Sequence, residues 1–457
     1  RTQLQEYRRH LEGEGLATLV AATLATQTDE TTPTVRSGDE TTIAWSGRVD
    51  MQFDQAMASD DADLESIRFL QDVEVLSPDG TINADELEMR FEPGEDGKAV
   101  PDRLIGSGGV RAASDEQVLW ADDLLATLGP AETESSSEKQ DPTGNIEVRD
   151  VLATGNVQIL MADGARVWAD KLQGDARQES VELTAADLVI ARGEVVIEHG
   201  TSLQVQRLEG TADWPGAGRA LMLATQPNLL ADTRVTRPTT PQTRGELDSE
   251  ITWSEAVHID FDPTAEQQDA AMRSITFTGE VAMASPDGTI DAGSLDMDFV
   301  PDKSGKSAPN RLVCRRRVRA HSEDQTLWAD KLIATLEPVD DEVEPSSDGP
   351  IDRITVRDFL ATGDVQVLMK DNARAFAERL EGDAKQEVAI LTGDDVMIAR
   401  QDVVIDRGQH LRIDRLAGTA DWGGSGRSRM LAEPISLSMD ARIPPPRIVG
   451  APGDPRV

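Results

Sequence analysis

Residues 148–179 read VRDVLATGNVQILMADGARVWADKLQGDARQE, and residues 356–387 read VRDFLATGDVQVLMKDNARAFAERLEGDAKQE; about two-thirds of the positions are identical, without a gap. The offset of 208 residues holds well beyond this block. Trp45 falls on Trp253, SPDGTI at 77–82 on 285–290, LWAD at 119–122 on 327–330, Gly210 on Gly418 and Trp214 on Trp422. A constant offset means two copies of one domain, and 457 residues exceed what a single core usually organises. The reading is a segment at 1–36, helical or a signal or linker remnant, then repeat 1 at 37–244, repeat 2 at 245–448 and a Pro/Gly-rich tail at 449–457. RVTRPTTPQTRGE, between the repeats, reads as an exposed connector. Each repeat also carries an acidic, Ser/Pro-rich loop, at 129–145 and 337–350, that reads as solvated.

Inside each repeat a hairpin pattern recurs every 36 to 48 residues or so. DVEVLSPDGTINADELEM, GVRAASDEQVLWADDLLATL, NVQILMADGARVWADKLQG and EVVIEHGTSLQVQRLEG all return 208 residues later. Val73/Val75, Val157/Ile159 and Val195/Ile197 alternate at the period of a strand, and Pro-Asp-Gly, Asp-Gly or His-Gly supplies the turn. This is antiparallel β structure. In the second strand of each hairpin, a small residue and a leucine stand three apart: Ile82/Ala84/Leu87, Leu119/Ala121/Leu124, Val167/Ala169/Leu172 and Leu327/Ala329/Leu332. Period 2 puts Ala169 and Leu172 on opposite faces, so an extra residue near Asp170-Lys171, a bulge or bend, is expected to return the leucine to the inner face. The rings of Trp120, Trp168 and Trp328 are read as covering a second apolar layer or the outer face of a neighbour.

With 84 acidic against 45 basic residues the net charge is −39, so the surface repels DNA, RNA and anionic membranes over a Debye length. Nucleic acid is not an expected partner. Cys314 stands alone, which leaves no internal disulfide and no cysteine-rich metal site; its repeat partner is Gly106. No run approaches the roughly 18 apolar residues of a spanning helix. The best apolar window, LATLVAATLA at 16–25, is preceded by Glu6, Glu12 and Glu14, which spoil the basic start of a signal peptide.

The blocks ATGNVQI…DGARVWADKL and ATGDVQV…DNARAFAERL resemble the OstA-like domain of lipopolysaccharide-transport proteins. The resemblance covers most of both repeats and is clearest at 148–213 and 356–421. It implies two tandem antiparallel β-jellyroll domains of the folded-over kind called a β-taco, whose apolar interior carries glycolipid acyl chains. It also implies non-enzymatic binding and bridging in the periplasm or cell envelope, with any membrane anchor in a segment outside this chain. The implied partners are a lipopolysaccharide-like glycolipid and other OstA-like transport proteins joined by edge-strand pairing. Two long copies and a strongly negative charge depart from the family pattern and concern the cargo more than the fold.

The inward residues expected to touch lipid are Val157, Ile159, Val167, Leu172, Val195, Ile197, Leu203 and Val205 in repeat 1, with Val365, Val367, Leu380, Val403, Ile405, Leu411 and Ile413 in repeat 2. The same residues form the core of any closed β-sandwich, so a structural or protein-interaction repeat without lipid is the alternative. No cofactor is expected. His199, His258, His321 and His410 fall on Arg407, Asp50, Ala113 and Ser202 across the repeat, so no metal or triad cluster recurs. Asp79-Gly80 and Asp287-Gly288 lack the spacing of a calcium loop and read as turns, and the glycines of GAGR at 216–219 and GGSGR at 423–427 lack the context of a phosphate loop. One basic cluster stands out: Arg315, Arg316 and Arg317 replace Ser107, Gly108 and Gly109. It suits either the grip of a phosphate or carboxylate or, the preferred reading, neutralisation of the acidic loop at 337–350. A hydrolase built on paired carboxylates has no pair singled out by its surroundings.

Overall fold

Nine strands of the first repeat return in the second with both ends displaced by 208 residues. The computed structural model describes residues 42–53, 64–77, 80–94, 99–115, 117–130, 146–162, 164–193, 195–223, 233–238, 244–246, 248–264, 272–301, 307–338, 354–400, 403–430 and 441–445. The segment 1–36, most of both acidic loops and the tail 449–457 lie outside the described residues. The chain divides into two units, Arg1–Gly218 with Thr225–Pro241, and Arg219–Ala224 with Gln242–Val457.

The protein is all β, with twenty-four strands and no helix among the described residues. Unit 1 holds β1 (Thr42–Ala44), β2 (Val49–Phe53), β3 (Leu64–Ser77), β4 (Gly80–Pro93), β5 (Ala99–Ala113), β6 (Gln117–Pro130), β7 (Ile146–Met161), β8 (Arg166–Asp175), β9 (Ser180–Arg192), β10 (Val195–Gln206) and β11 (Thr211–Pro215). Strands β3 to β10 form an antiparallel meander, each beside the next. β1 and β2 lie end to end along β3 as one interrupted edge strand, and β11 pairs with the last residues of β10.

All of β12 (Gly218–Met222) except its first residue belongs to unit 2, where Arg219 donates to Glu250 at 2.5 Å. The rest of unit 2 is β13 (Ser249–Trp253), β14 (Ala256–Phe261), β15 (Met272–Ser285), β16 (Gly288–Pro301), β17 (Ser307–His321), β18 (Gln325–Pro338), β19 (Ile354–Met369), β20 (Arg374–Asp383), β21 (Val388–Arg400), β22 (Val403–Asp414), β23 (Thr419–Gly423) and β24 (Arg427–Met430). The meander runs from β15 to β22, with β13 and β14 along β15 and with β23 and β24 along β22.

The expected change of phase is present in every neighbouring pair of long strands, but the extra residues are not at Asp170-Lys171: opposite Asp170 they lie on the partner strand, at Gly155 and Asn156. The register slips near mid-strand, for example between Thr154 and Val157 in β7 and between Trp168 and Lys171 in β8, and it slips twice between β9 and β10 and between β21 and β22. The extra residues take left-handed backbone: Gln71 and Asp72, Gly108 and Gly109, Gly155 and Asn156. Opposite them stand single acidic residues, and these carboxylates hold the bulges. Asp122 accepts the Asn156 side-chain amide at 2.8 Å, Asp170 accepts the Ala186 N–H at 2.8 Å and Asp187 accepts the His199 N–H at 3.0 Å. The two halves of the repeated motif are thereby explained. Ala-x-Gly-Asn/Asp-Val makes the bulge, and Ala-Asp/Glu-x-Leu supplies the acid beside a bulge and the buried residues around it. On β8, Val167, Ala169 and Leu172 are all buried while Asp170 is exposed.

A β-carbon on Gly155, at φ +77, would lie 2.5 Å from the Asp122 carboxylate, whereas one on Gly109, at φ +81, would meet nothing within 4 Å. Both substitutions to alanine carry the left-handed penalty of about 1–2 kcal/mol. Gly155→Ala should therefore cost clearly more than Gly109→Ala in urea unfolding, and equal losses would show that the carboxylate does not press on the bulge.

Candidate functional site

Cross-strand partners line up into apolar rows that cross each unit. Beside the bulges of unit 1, Phe69, Leu87, Gly106, Leu124, Ala153, Leu172, Leu183 and Leu203 stand opposite one another in turn. Gly106 and Ala153 are set between leucines at the middle of the row, and the apolar members are all buried. In unit 2 the row runs Phe277, Leu295, Cys314, Leu332, Ala361, Leu380, Leu391 and Leu411, again buried. Cys314 fills the place of Gly106, and burial pushes its thiol up to about 12.

A second row lies on the other side of the bulges: Val75, Ile82, Ala112, Leu119, Ile159, Val167, Ile190 and Ile197. Its first four members are each 1% exposed, while Ile190 and Ile197 are half-buried. In unit 2 the equivalents Met283, Ile290, Ala320 and Leu327 are half-buried, as are Ile398 and Ile405 at the far end. Only Val367 and Ala375 in that row are sealed. Unit 2 thus presents a half-open apolar row where unit 1 is closed over most of its length.

The residues expected to touch lipid separate along these lines. Val157, Ile159, Val167, Leu172, Leu203, Val365, Val367, Leu380 and Leu411 are buried, whereas Val195, Ile197, Val205, Val403, Ile405 and Ile413 are half-buried. On β10 and β22 the intervening Val196, Glu198, Val404 and Asp406 are the more deeply buried set. The alternation there does not divide a buried face from a wet one, because the opposite face is covered too. Asp406 is held in that layer by two hydrogen bonds from Arg427, at 2.9 and 2.7 Å.

The cover on the opposite face of unit 1 comes from the segment read as an exposed connector. Residues 233–238 lie across the row Trp120, Gln158 and Trp168 as a strap. The Gln158 amide donates to the Val235 carbonyl at 3.0 Å and accepts the Val235 N–H at 3.2 Å, and the Trp168 indole donates to the same carbonyl at 3.2 Å. Arg166, fully buried, donates to the Thr233 carbonyl at 3.0 Å and lies 5.2 Å above the Trp120 ring. Arg234 reaches the bulge acid Asp122, and Arg237 bonds Asp187 at 2.6 Å. Unit 2 repeats the device with residues 441–445: Gln366 grips Ile443 at 2.6 and 3.1 Å, Arg374 donates to the Ala441 carbonyl at 2.8 Å over Trp328, and Arg442 bonds Asp330 at 2.8 Å. The tryptophans therefore do cover a second layer, and its lid is the connector in unit 1 and residues 441–445 in unit 2. Arg234/Arg442 and Val235/Ile443 recur at the 208-residue offset, which is the signal that identifies the strap.

A cavity of about 540 Å³ lies outside the predicted set, on unit 2, lined by Arg311, Ile333, Thr335, Asp358, Leu360, Glu381, Asp383, Val388 and Ile390 among others. Hydrogen bonds from the Arg357 guanidinium and then the Thr335 hydroxyl hold the Asp358 carboxyl below its usual range. Val388 and Ile390 replace Ser180 and Glu182 of the first repeat, a change visible in the sequence. As for the basic cluster, Arg315 and Arg319 pair across the ladder with Asp296 and Asp291 of β16; the acidic loop beyond Pro338 is outside the described residues. Among the described residues no group of three His, Cys, Asp or Glu is placed to hold a metal ion. No family model matches the chain, and no curated protein is similar enough to count as a match.

Two outcomes follow from these contacts. Gln158→Ala removes both hydrogen bonds to Val235, so backbone exchange of residues 233–238 should accelerate with little change at β4 and β5; unchanged exchange would show that the strap is held by other contacts. Cys314, raised from about 9 toward 12, resists ionisation when folded, so its contribution is intact below pH 9 and is lost as pH rises toward 12. Stability of the native protein relative to Cys314→Ala should fall across that window, and a flat difference would place the thiol in water.

Proposed function

We propose that the chain is a non-enzymatic module of a bacterial cell envelope that binds and bridges an amphipathic lipid, lipopolysaccharide or a related glycolipid, through its half-open apolar rows. The observation that carries this reading is the run Met283, Ile290, Ala320 and Leu327, four neighbouring apolar side chains left half-buried beside a fully buried row on the same strands. In unit 2 the row beside the bulges is sealed and the row beyond them opens, as in a trough closed at its crease, which fits the folded-over OstA-like jellyroll. A buried methylene contributes about 0.8 kcal/mol, so six methylenes of an acyl chain laid along this row contribute roughly 5 kcal/mol without any charged clamp. Edge pairing with similar domains of the envelope belongs to the same reading, because β1, β2, β23 and β24 are short strands with apolar side chains such as Met51, Phe53 and Met430 in solvent.

A second reading, a closed scaffold for protein interaction, is favoured by the seal of unit 1, where the same row is 1% exposed from Val75 to Leu119. Native mass spectrometry of the purified protein distinguishes the two. Under the lipid reading, co-purified or added glycolipid stays bound, Ile290→Asp with Ile405→Asp releases it while the fold survives, and Leu380→Asp destroys the fold by placing an unpaired carboxylate in a sealed row. Absence of any lipid adduct, or retention unchanged by Ile290→Asp with Ile405→Asp, would leave the scaffold reading standing.

A further inference from the structure

The second repeat carries a cationic patch that the first repeat lacks. At the β17 bulge, Arg316 and Arg317 adopt left-handed backbone, φ 67 and 53, where Gly108 and Gly109 serve in the first repeat. Glycine is the residue suited to that backbone, so two arginines there cost stability. The neighbouring strand has changed with them. A β-carbon on Gly108 would lie 2.6 Å from the side chain of Asp85, so a side chain at that bulge is incompatible with the acid opposite it. In unit 2 the acid is replaced by Gly293, and the Arg316 β-carbon occupies the space, 2.8 Å from where a β-carbon on Gly293 would stand. The exchange removes a negative charge and installs positive ones at the same point.

The surrounding row moves in the same direction. Glu86, Ser107 and Asp123 are ladder neighbours in unit 1, and their counterparts are Ser294, Arg315 and Lys331. Arg315 and Lys331 stand directly opposite each other, an arrangement of like charges that weakens a sheet. Asp296 engages Arg315, and the guanidinium of Arg316 donates to the Gly293 carbonyl at 3.4 Å. Asp330, between Ala329 and Lys331, is taken by Arg442. Arg316, Arg317 and Lys331 have no carboxylate partner among the described residues, in a chain of net charge −39. Backbone strain and opposed like charges work against stability, and the matched acid-to-glycine exchange makes room for the cations that cause them.

We infer that Arg316, Arg317 and Lys331 form a binding site for a phosphate group, either on a lipid headgroup or on a free phosphorylated solute. Lys331 stands across the ladder from Arg315, the residue that precedes Arg316 and Arg317, so the three cations flank one short stretch of β17 and suit charge-assisted hydrogen bonds to several oxygens of one oxyanion. The site is independent of the apolar rows, and its success or failure is read separately from theirs.

The test uses the full chain, inorganic pyrophosphate by calorimetry, and flotation with phosphatidylcholine vesicles with or without phosphatidic acid. The comparison is Arg316→Gly with Arg317→Gly, which restores the residues of the first repeat at a backbone made for glycine and so should unfold no earlier than the native protein. Arg48→Gln with Arg207→Gln removes the same charge elsewhere. The expected result is binding of at least one probe, weakened about tenfold or more by the double glycine variant and little by the control, with less dependence on salt. Binding of pyrophosphate alone assigns a free solute, and binding of phosphatidic acid vesicles alone assigns a headgroup. Failure of both probes to bind, or equal loss in the two double variants, overturns the site.

Discussion

The mid-strand bulge is the constraint from which the rest of each unit follows. A strand of 10 to 16 residues with strict alternation would show one face throughout. Here the long strands change phase near their middles, because left-handed residues on one strand meet a carboxylate on the next. Leucines three residues from an alanine are buried as a result, and apolar rows form on both sides of the slip, one dry in both units and the other half-open in unit 2. The acids that hold the line also receive the strap arginines, Arg234 on Asp122 and Arg442 on Asp330. One set of aspartates therefore joins the bend of the sheet to the cover on its opposite face. The chain's negative charge is partly an architectural requirement.

Much of this was legible from the residues. Alternating β-branched runs, turns of the Pro-Asp-Gly kind and the three-residue spacing of Ala169 and Leu172 identify the antiparallel strands and the kink, because each rests on local geometry. The offset of 208 residues then transfers the reading from one repeat to the other. Exposure was not legible in the same way. Val75 and Met283 occupy the same place in their rows, yet one is sealed and the other half-open, and nothing in either side chain announces it. That difference depends on what lies over the row. The burial of Val196 and Val404 was missed for the same reason, since a one-faced pattern assumes that the opposite face is wet.

The two repeats also show how one framework diverges without moving. Cys314 in place of Gly106 fills a dry row from within, and Val388 with Ile390 in place of Ser180 with Glu182 turns a polar surface into the wall of a cavity. The bulge tolerated its own exchange of acid and glycine. None of these changes alters strand length or register, which stay at the same offset.

The strap carries a separate consequence. Gln158 and Gln366 hold it through the N–H and carbonyl of a single residue, and Arg166 and Arg374 take another carbonyl. A grip on main chain is blind to side chains, so the strap's spelling can drift from TRVTRP to ARIPPP without loss of the clasp. Proline is the exception at Val235 and Ile443, where the N–H is needed. A stretch whose side chains differ between the repeats is therefore anchored in both, a latch whose key is the peptide bond itself.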